Sequence, residues 1–104
     1  MAIVSFKSKA LRNFLLKNDS SGIKPEHVKK VDTILDLINE SEKVKDFRGL
    51  YRFHEYKGPD KGIYSLDVSG NVRILFRFDP PDAFDLWYGD PHGEQIRNIM
   101  GSGK

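Results

Sequence analysis

Between residues 28 and 40 the apolar side chains Val28, Val31, Ile34, Leu35 and Ile38 recur at helical spacing, with Lys29, Lys30, Asp32, Asp36 and Glu40 among them. Spacings of three and four residues gather the first set on one side of an α-helix and turn the second toward water. Pro25 fits the first turn of this helix, where a missing N–H breaks no hydrogen bond. A shorter helix is predicted after Ser8, a capping residue, with Leu11, Phe14 and Leu15 on its buried side. It stops at the run Asn18-Asp19-Ser20-Ser21-Gly22. Ahead of it, Ile3 to Phe6 forms an opening strand. The first forty residues therefore read as a strand followed by a helical hairpin with one buried stripe.

From residue 51 the period changes to two. Strands are predicted over Tyr51–Tyr56, Gly62–Val68, Val72–Phe78 and Phe84–Tyr88. The segments between them, Lys57–Lys61, Ser69-Gly70-Asn71 and Asp79-Pro80-Pro81-Asp82-Ala83, are short and rich in turn residues, which implies an antiparallel meander. Alternation puts Tyr64, Leu66, Val68, Val72, Ile74, Phe76, Phe78, Phe84, Leu86 and Tyr88 on one side, which the helices must cover. The fold class is α+β, with the helical hairpin on one face of the sheet, in a single domain over residues 1–104. Glu94 to Met100 can add a short C-terminal helix, and residues 101–104 are expected to form a flexible tail.

The opposite face carries the chemistry. A three-residue loop at Ser69–Asn71 pairs Val68 with Val72 and aligns the two apolar rows, whereas a two-residue loop would mix polar with apolar positions. Asp67 then lies across from Arg73, and Ile63 across from Arg77. Pairing Phe78 with Phe84 sets Arg77 across from Asp85, Leu75 across from Trp87 and Arg73 across from Gly89. Asp90 and His92 follow directly and should emerge beside Arg73. Arg52, His54 and Tyr56 alternate outward on their own strand, and two strand spacings put His54 about 10 Å from the Arg73 strand.

Imidazoles, a carboxylate and cations on one open surface are the parts needed to cut RNA through its own 2′-hydroxyl. A base takes that proton, an acid protonates the leaving 5′-oxygen, and cations offset the charge on phosphorus. Trp87 and Tyr56 on the same face can stack bases. Plainer readings stand beside these. Arg73 with Asp67 and Arg77 with Asp85 are cross-strand ion pairs that any sheet surface can hold. Asp90 before Pro91 can simply turn the chain, and His27, in a charged first turn, reads as inert.

Charge supports nucleic-acid binding only weakly. The net charge is +2, divided as ten Lys/Arg against seven Asp/Glu in residues 1–50 and seven against eight thereafter. There is no cysteine, so neither disulfides nor thiolate metal sites are available. His54 and His92 come from separate elements, and no local His-x-x-x-His or Glu-x-x-His spacing suggests a metal. No cofactor motif is present. With no signal-like start and no spanning apolar run, a cytoplasmic location without membrane contact is expected.

Several segments in order resemble the HigB family of toxins in the RelE/ParE superfamily. They are Ser5-Phe6-Lys7-Ser8-Lys9-Ala10-Leu11, His54-Glu55-Tyr56-Lys57-Gly58, Lys61-Gly62-Ile63-Tyr64-Ser65-Leu66, Gly70-Asn71-Val72-Arg73-Ile74, Asp82-Ala83-Phe84-Asp85 and Gly89-Asp90-Pro91-His92. The resemblance implies a RelE-like fold, metal-free cleavage of mRNA on the ribosome and inhibition of translation. It also implies neutralisation by a HigA-like helix-turn-helix antitoxin, through which alone operator DNA would be contacted. By position it implies that His54, Lys57, Arg73, Asp90 and His92 form the catalytic centre. Lys61, Tyr56, Arg77 and Trp87 are then expected to bind RNA. The chain departs from the family in having Pro91 where a tyrosine is usual and Val72 where a tryptophan is usual. The alternatives are a toxin of this fold that binds a protein target, as the gyrase-binding ParE branch implies, and a weakened toxin that mainly binds its antitoxin.

Overall fold

A computed structural model describes residues 2–93 and 95–101. Of the tail expected over 101–104, residues 102–104 lie outside the described residues. Helix α1 (Lys9–Lys17) buries Leu11 and ends where Asn18, at φ 55°, returns its N–H to the Asn13 carbonyl. Ser8 stands at its N-cap in an extended conformation, although its hydroxyl caps nothing. A 3-10 turn over Pro25–His27 leads into α2 (Val28–Glu40), which buries Val31, Ile34, Leu35 and Ile38. These positions follow the helical spacing of the sequence.

Four antiparallel strands form a sheet in sequential order: β1 (His54–Glu55), β2 (Ile63–Asp67), β3 (Arg73–Asp79) and β4 (Asp82–Gly89). The β2–β3 register pairs Asp67 with Arg73 and Ile63 with Arg77, as the apolar rows require. Val68 N–H donates to Val72 O at 2.8 Å, closing the three-residue loop. Strand β1 is far shorter than the expected Tyr51–Tyr56. Tyr51 and Arg52 adopt φ of 48° and 52°, a left-handed turn incompatible with extended pairing. The alternation of sides nevertheless survives, since Tyr51 and Phe53 pack toward the core while Arg52 and His54 stay exposed.

The last hairpin departs from the expected register. Near Gly89 the pairing is as expected, with Arg73 opposite Gly89 and Leu75 opposite Trp87. Beyond a bulge the register slips by one, so Arg77 faces Phe84 and Phe78 faces Ala83. Ala83 consequently takes the core position expected of Phe84, which lies half-buried outside the core. The cause is the N-terminal segment, which runs parallel along the outer edge of β4 through Ile3–Ala83 and Phe6–Leu86 bridges. Ala83 N–H donates to Ala2 O, and Val4 N–H donates to Ala83 O, each at 2.8 Å. Asp85, at φ 58°, forms the bulge and donates its N–H to Ser5 Oγ at 2.9 Å. A two-stranded register argument omits this third partner.

The main core lies between the helical hairpin and one sheet face. Phe47, from a 3-10 turn over Val44–Phe47, sits fully buried at its centre. Its ring lies 5.2–5.3 Å from those of Phe53, Phe76 and Phe78. That turn is held by Asp46, whose carboxylate accepts the Glu42 and Lys43 N–H groups. The second sheet face is not bare. The C-terminal helix α3 (Ile96–Met100) covers part of it, with Ile96 and Met100 burying Ile63 and Leu75 and touching Tyr56 and Trp87. Helices therefore occupy both faces, the hairpin on one and α3 on part of the other.

Candidate active site

Tyr56 and Arg73 stand at the meeting point of two neighbouring hollows on the α3 side of the sheet. One, of about 330 Å³, is lined by Arg52, His54, Tyr56, Asp67 and Arg73. The other, of about 140 Å³, is lined by Tyr56, Gly70, Asn71, Arg73, Asp90, Pro91, His92 and Ile96. Local backbone geometry explains both. His54 sits across from Ser65 in the β1–β2 ladder and so projects on the same side as Leu75, Ser65's partner on β3. Arg73 opens β3 opposite Gly89, the last residue of β4, so the chain leaving Gly89 delivers Asp90 and His92 to the end of the Arg73 strand.

Contacts among these side chains fix the arginine. Its Nε lies 3.3 Å from Asp67 Oδ1, and Nη1 donates to the Tyr56 hydroxyl at 3.4 Å. The Arg73 side chain remains 36% exposed, so the guanidinium is oriented yet accessible to an anion. The His54 ring meets Tyr56 edge-on, with centroids 4.6 Å apart. Tyr56 thus touches both the imidazole and the guanidinium. On the other side, His92 N–H donates to Asp90 Oδ1 at 2.9 Å, so the carboxylate shapes the turn that presents the exposed imidazole. Pro91 between them is buried.

The expected residues are only partly brought together. His54, Tyr56 and Arg73 share one hollow, and Tyr56, Arg73, Asp90 and His92 share the next. Lys57 shares an opening of about 500 Å³ with His54, Arg48, Phe53 and Glu55 but lines neither hollow at Arg73. Lys61 is exposed just beyond the Gly58–Asp60 turn and lines neither hollow at Arg73.

Arg77 and Trp87, expected on the RNA-binding surface, are engaged within the protein. Only 11% of the Arg77 side chain is exposed. Its Nη2 donates to the carbonyls of Met100 and Gly101, and its Nε lies 3.3 Å from Asp85 Oδ2. The Trp87 indole is half-buried against the cluster under α3. It also lies over Gly89, where a Cβ would come within 2.8 Å of the ring. Trp87 has its partner, and that partner is internal.

Two features escape the sequence reading. Arg52 adds a cation beside His54, and outward alternation was the available signal. His27, read as inert, is buried, with Nδ1 2.8 Å from the Tyr88 hydroxyl, which also accepts the Lys24 N–H at 3.3 Å. Both line an open cleft of about 830 Å³ that adjoins the His92 hollow through Asn71 and Asp90. No spacing rule links a helix-start histidine to a tyrosine 61 positions away. Among the described residues no group of three His, Asp or Glu side chains is placed to hold a metal ion, and no helix is long and apolar enough to cross a membrane.

Residues 4–92 match the family described as RelE-like toxin of type II toxin–antitoxin system HigB. The chain belongs to this HigB-like toxin family. A curated relative, Endoribonuclease HigB of Proteus vulgaris, is 34% identical over 91 residues, covering 86% of this chain and 99% of that protein. The fold of this HigB-family toxin also resembles solved structures of more distant sequence. The YoeB–YefM complex from Staphylococcus aureus gives a TM-score of 0.56 at 18% identity, covering 84% of this chain and 94% of that one. The YoeB/ParE toxin from Agrobacterium tumefaciens gives 0.56 at 15%, covering 86% and 99%. The RelE-like α+β fold expected from the sequence is therefore the fold observed.

Proposed function

We propose that this toxin is an endoribonuclease that cuts mRNA on the ribosome without a metal, stopping translation. The observation that carries the reading is Arg73, oriented but accessible, between a hollow holding His54 and a hollow holding His92. The name of the Proteus vulgaris relative supports the same chemistry.

In this reading His54 and His92 divide the proton transfers. One accepts the 2′-hydroxyl proton as O2′ attacks the adjacent phosphorus. The P–O5′ bond breaks, and the other imidazole protonates the leaving oxygen. A 2′,3′-cyclic phosphate and a 5′-hydroxyl result. Arg73, joined by Arg52, offsets the charge that builds on the phosphoryl oxygens. Asp90 orients His92 through its turn. Tyr56 positions His54 and Arg73 together, a task that its contacts favour over free base stacking. Lys57, which shares an opening with His54, and the exposed Lys61 hold the RNA backbone or ribosome.

An antitoxin partner follows from the family, and a fold neighbour solved as a complex with YefM supports one. We expect it to be a HigA-like helix-turn-helix protein that alone contacts operator DNA, with the toxin acting in the cytoplasm. The test is mapping of transcript 5′ ends after induction. Cuts in phase with the reading frame are expected. DNA damage without cuts would replace this reading with a gyrase-binding one.

A further inference from the structure

Helix α3 follows the matched family region, which stops at residue 92. The sheet face it covers also carries Ser65, Asp67, Arg73 and Arg77, and Ile63 and Leu75 on that face are buried beneath Ile96 and Met100 with Tyr56 and Trp87 packed against them. Five residues are too few for a helix to persist alone in water, so α3 depends on what holds it. Besides the apolar contact, one charged group does so. Arg77 Nη2 donates to Met100 O at 3.2 Å and to Gly101 O at 3.0 Å. These carbonyls at a helix C-terminus lack intrahelical partners and carry partial negative charge, and a guanidinium suits both conditions. Asp85 stands against the same guanidinium at 3.3 Å and balances its charge.

The helix also reaches the site. Ile96 lines the His92 hollow together with Tyr56, Arg73 and Asp90. Four Cα–Cα steps separate His92 from Ile96 in the sequence, a reach of at most about 14 Å. Pinning α3 therefore confines the chain that presents His92.

We propose that α3 is an added wall of the active site and that Arg77 is the positioning residue that latches it, setting where His92 stands without touching RNA. This inference rests on the ribonuclease reading. The RNA path is consequently bounded on the α3 side of His92.

The experiment compares the full chain with Arg77→Met, Arg77→Lys and Ile96→Ala in steady-state cleavage of ribosome-bound mRNA. Amide exchange of Ile99 and Met100 and the unfolding midpoint are measured alongside. In Arg77→Met the α3 amides are expected to lose protection and kcat to fall about tenfold to a hundredfold, as modest misplacement of a reacting group does. KM should change less than kcat, because no RNA contact is removed. Arg77→Lys, which retains a donor, should recover part of the rate. Ile96→Ala, which leaves the latch intact and thins the wall, should slow cleavage even if Arg77→Met fails to fold. Lost protection with unchanged cleavage, or retained protection in Arg77→Met, overturns the proposal. A parent protein that cuts no RNA overturns the ribonuclease reading itself, and the proposal with it.

Discussion

The two faces of the sheet are built on opposite rules. On the hairpin side, Leu66, Ile74, Phe76 and Leu86 are fully buried among aromatic and aliphatic partners from α1, α2 and the turn at Phe47. On the α3 side, apolar cover is limited to the patch around Ile63 and Leu75, and the rest holds His54, Tyr56, Asp67 and Arg73 around open hollows. The first face gains its stability from packing that tolerates no gap. The second keeps charged and titratable groups accessible, held by single hydrogen bonds and ion pairs that contribute little to stability. One sheet thus keeps its packed side and its open polar side apart.

Substitutions should divide along the same line. The largest expected effect on stability is Phe47→Ala, which empties the centre of an aromatic cluster and should lower unfolding free energy by about 3–5 kcal/mol. Chemical denaturation measures it. A loss below about 1 kcal/mol would mean that the core collapses around the gap, and the contrast between faces would be weaker than drawn.

A smaller effect separates the faces by pH. Burial raises the Tyr64 phenol above its ordinary value of 10.0, with Glu55 adding to the shift. A raised folded-state value contributes stability that is fully present below pH 10.0 and lost as pH rises through the folded value. Tyr64→Phe should therefore flatten the loss of stability above that pH and leave neutral behaviour nearly unchanged. Denaturation midpoints at neutral and alkaline pH give the result, and an unaltered alkaline slope would locate the sensitivity elsewhere.

The periodic parts of this fold were legible because a single packing rule decides them. The stripe of α2 and the Asp67–Arg73 register each follow from keeping one side apolar. The parts that were not legible are settled by partners distant in sequence. Phe84 left the core because Ser5 and Ala2 hold β4 from its other edge. The expected strand at Tyr51 became a turn because two residues take left-handed angles that no glycine signals. In the site, Arg73, Asp90 and His92 fall together by register alone, which alternation conveys. Arg77 and Trp87 looked free only because nothing in the strand pattern says that a later helix lies over them. Lys57 follows His54 by three residues and shares an opening with it, yet the turn after β1 keeps it out of both hollows at Arg73.

The claim on which the rest depends is that the α3 face acts on RNA through Arg73 and His92 independently of how the fold is held. Single-turnover cleavage of ribosome-bound mRNA by Arg73→Ala and His92→Ala, read beside the unfolding free energy of each, tests it most directly. Rates are expected to fall by about 10²–10⁴-fold, with stability within about 1 kcal/mol of the parent. Variants that cut RNA at the parent's rate would contradict the account.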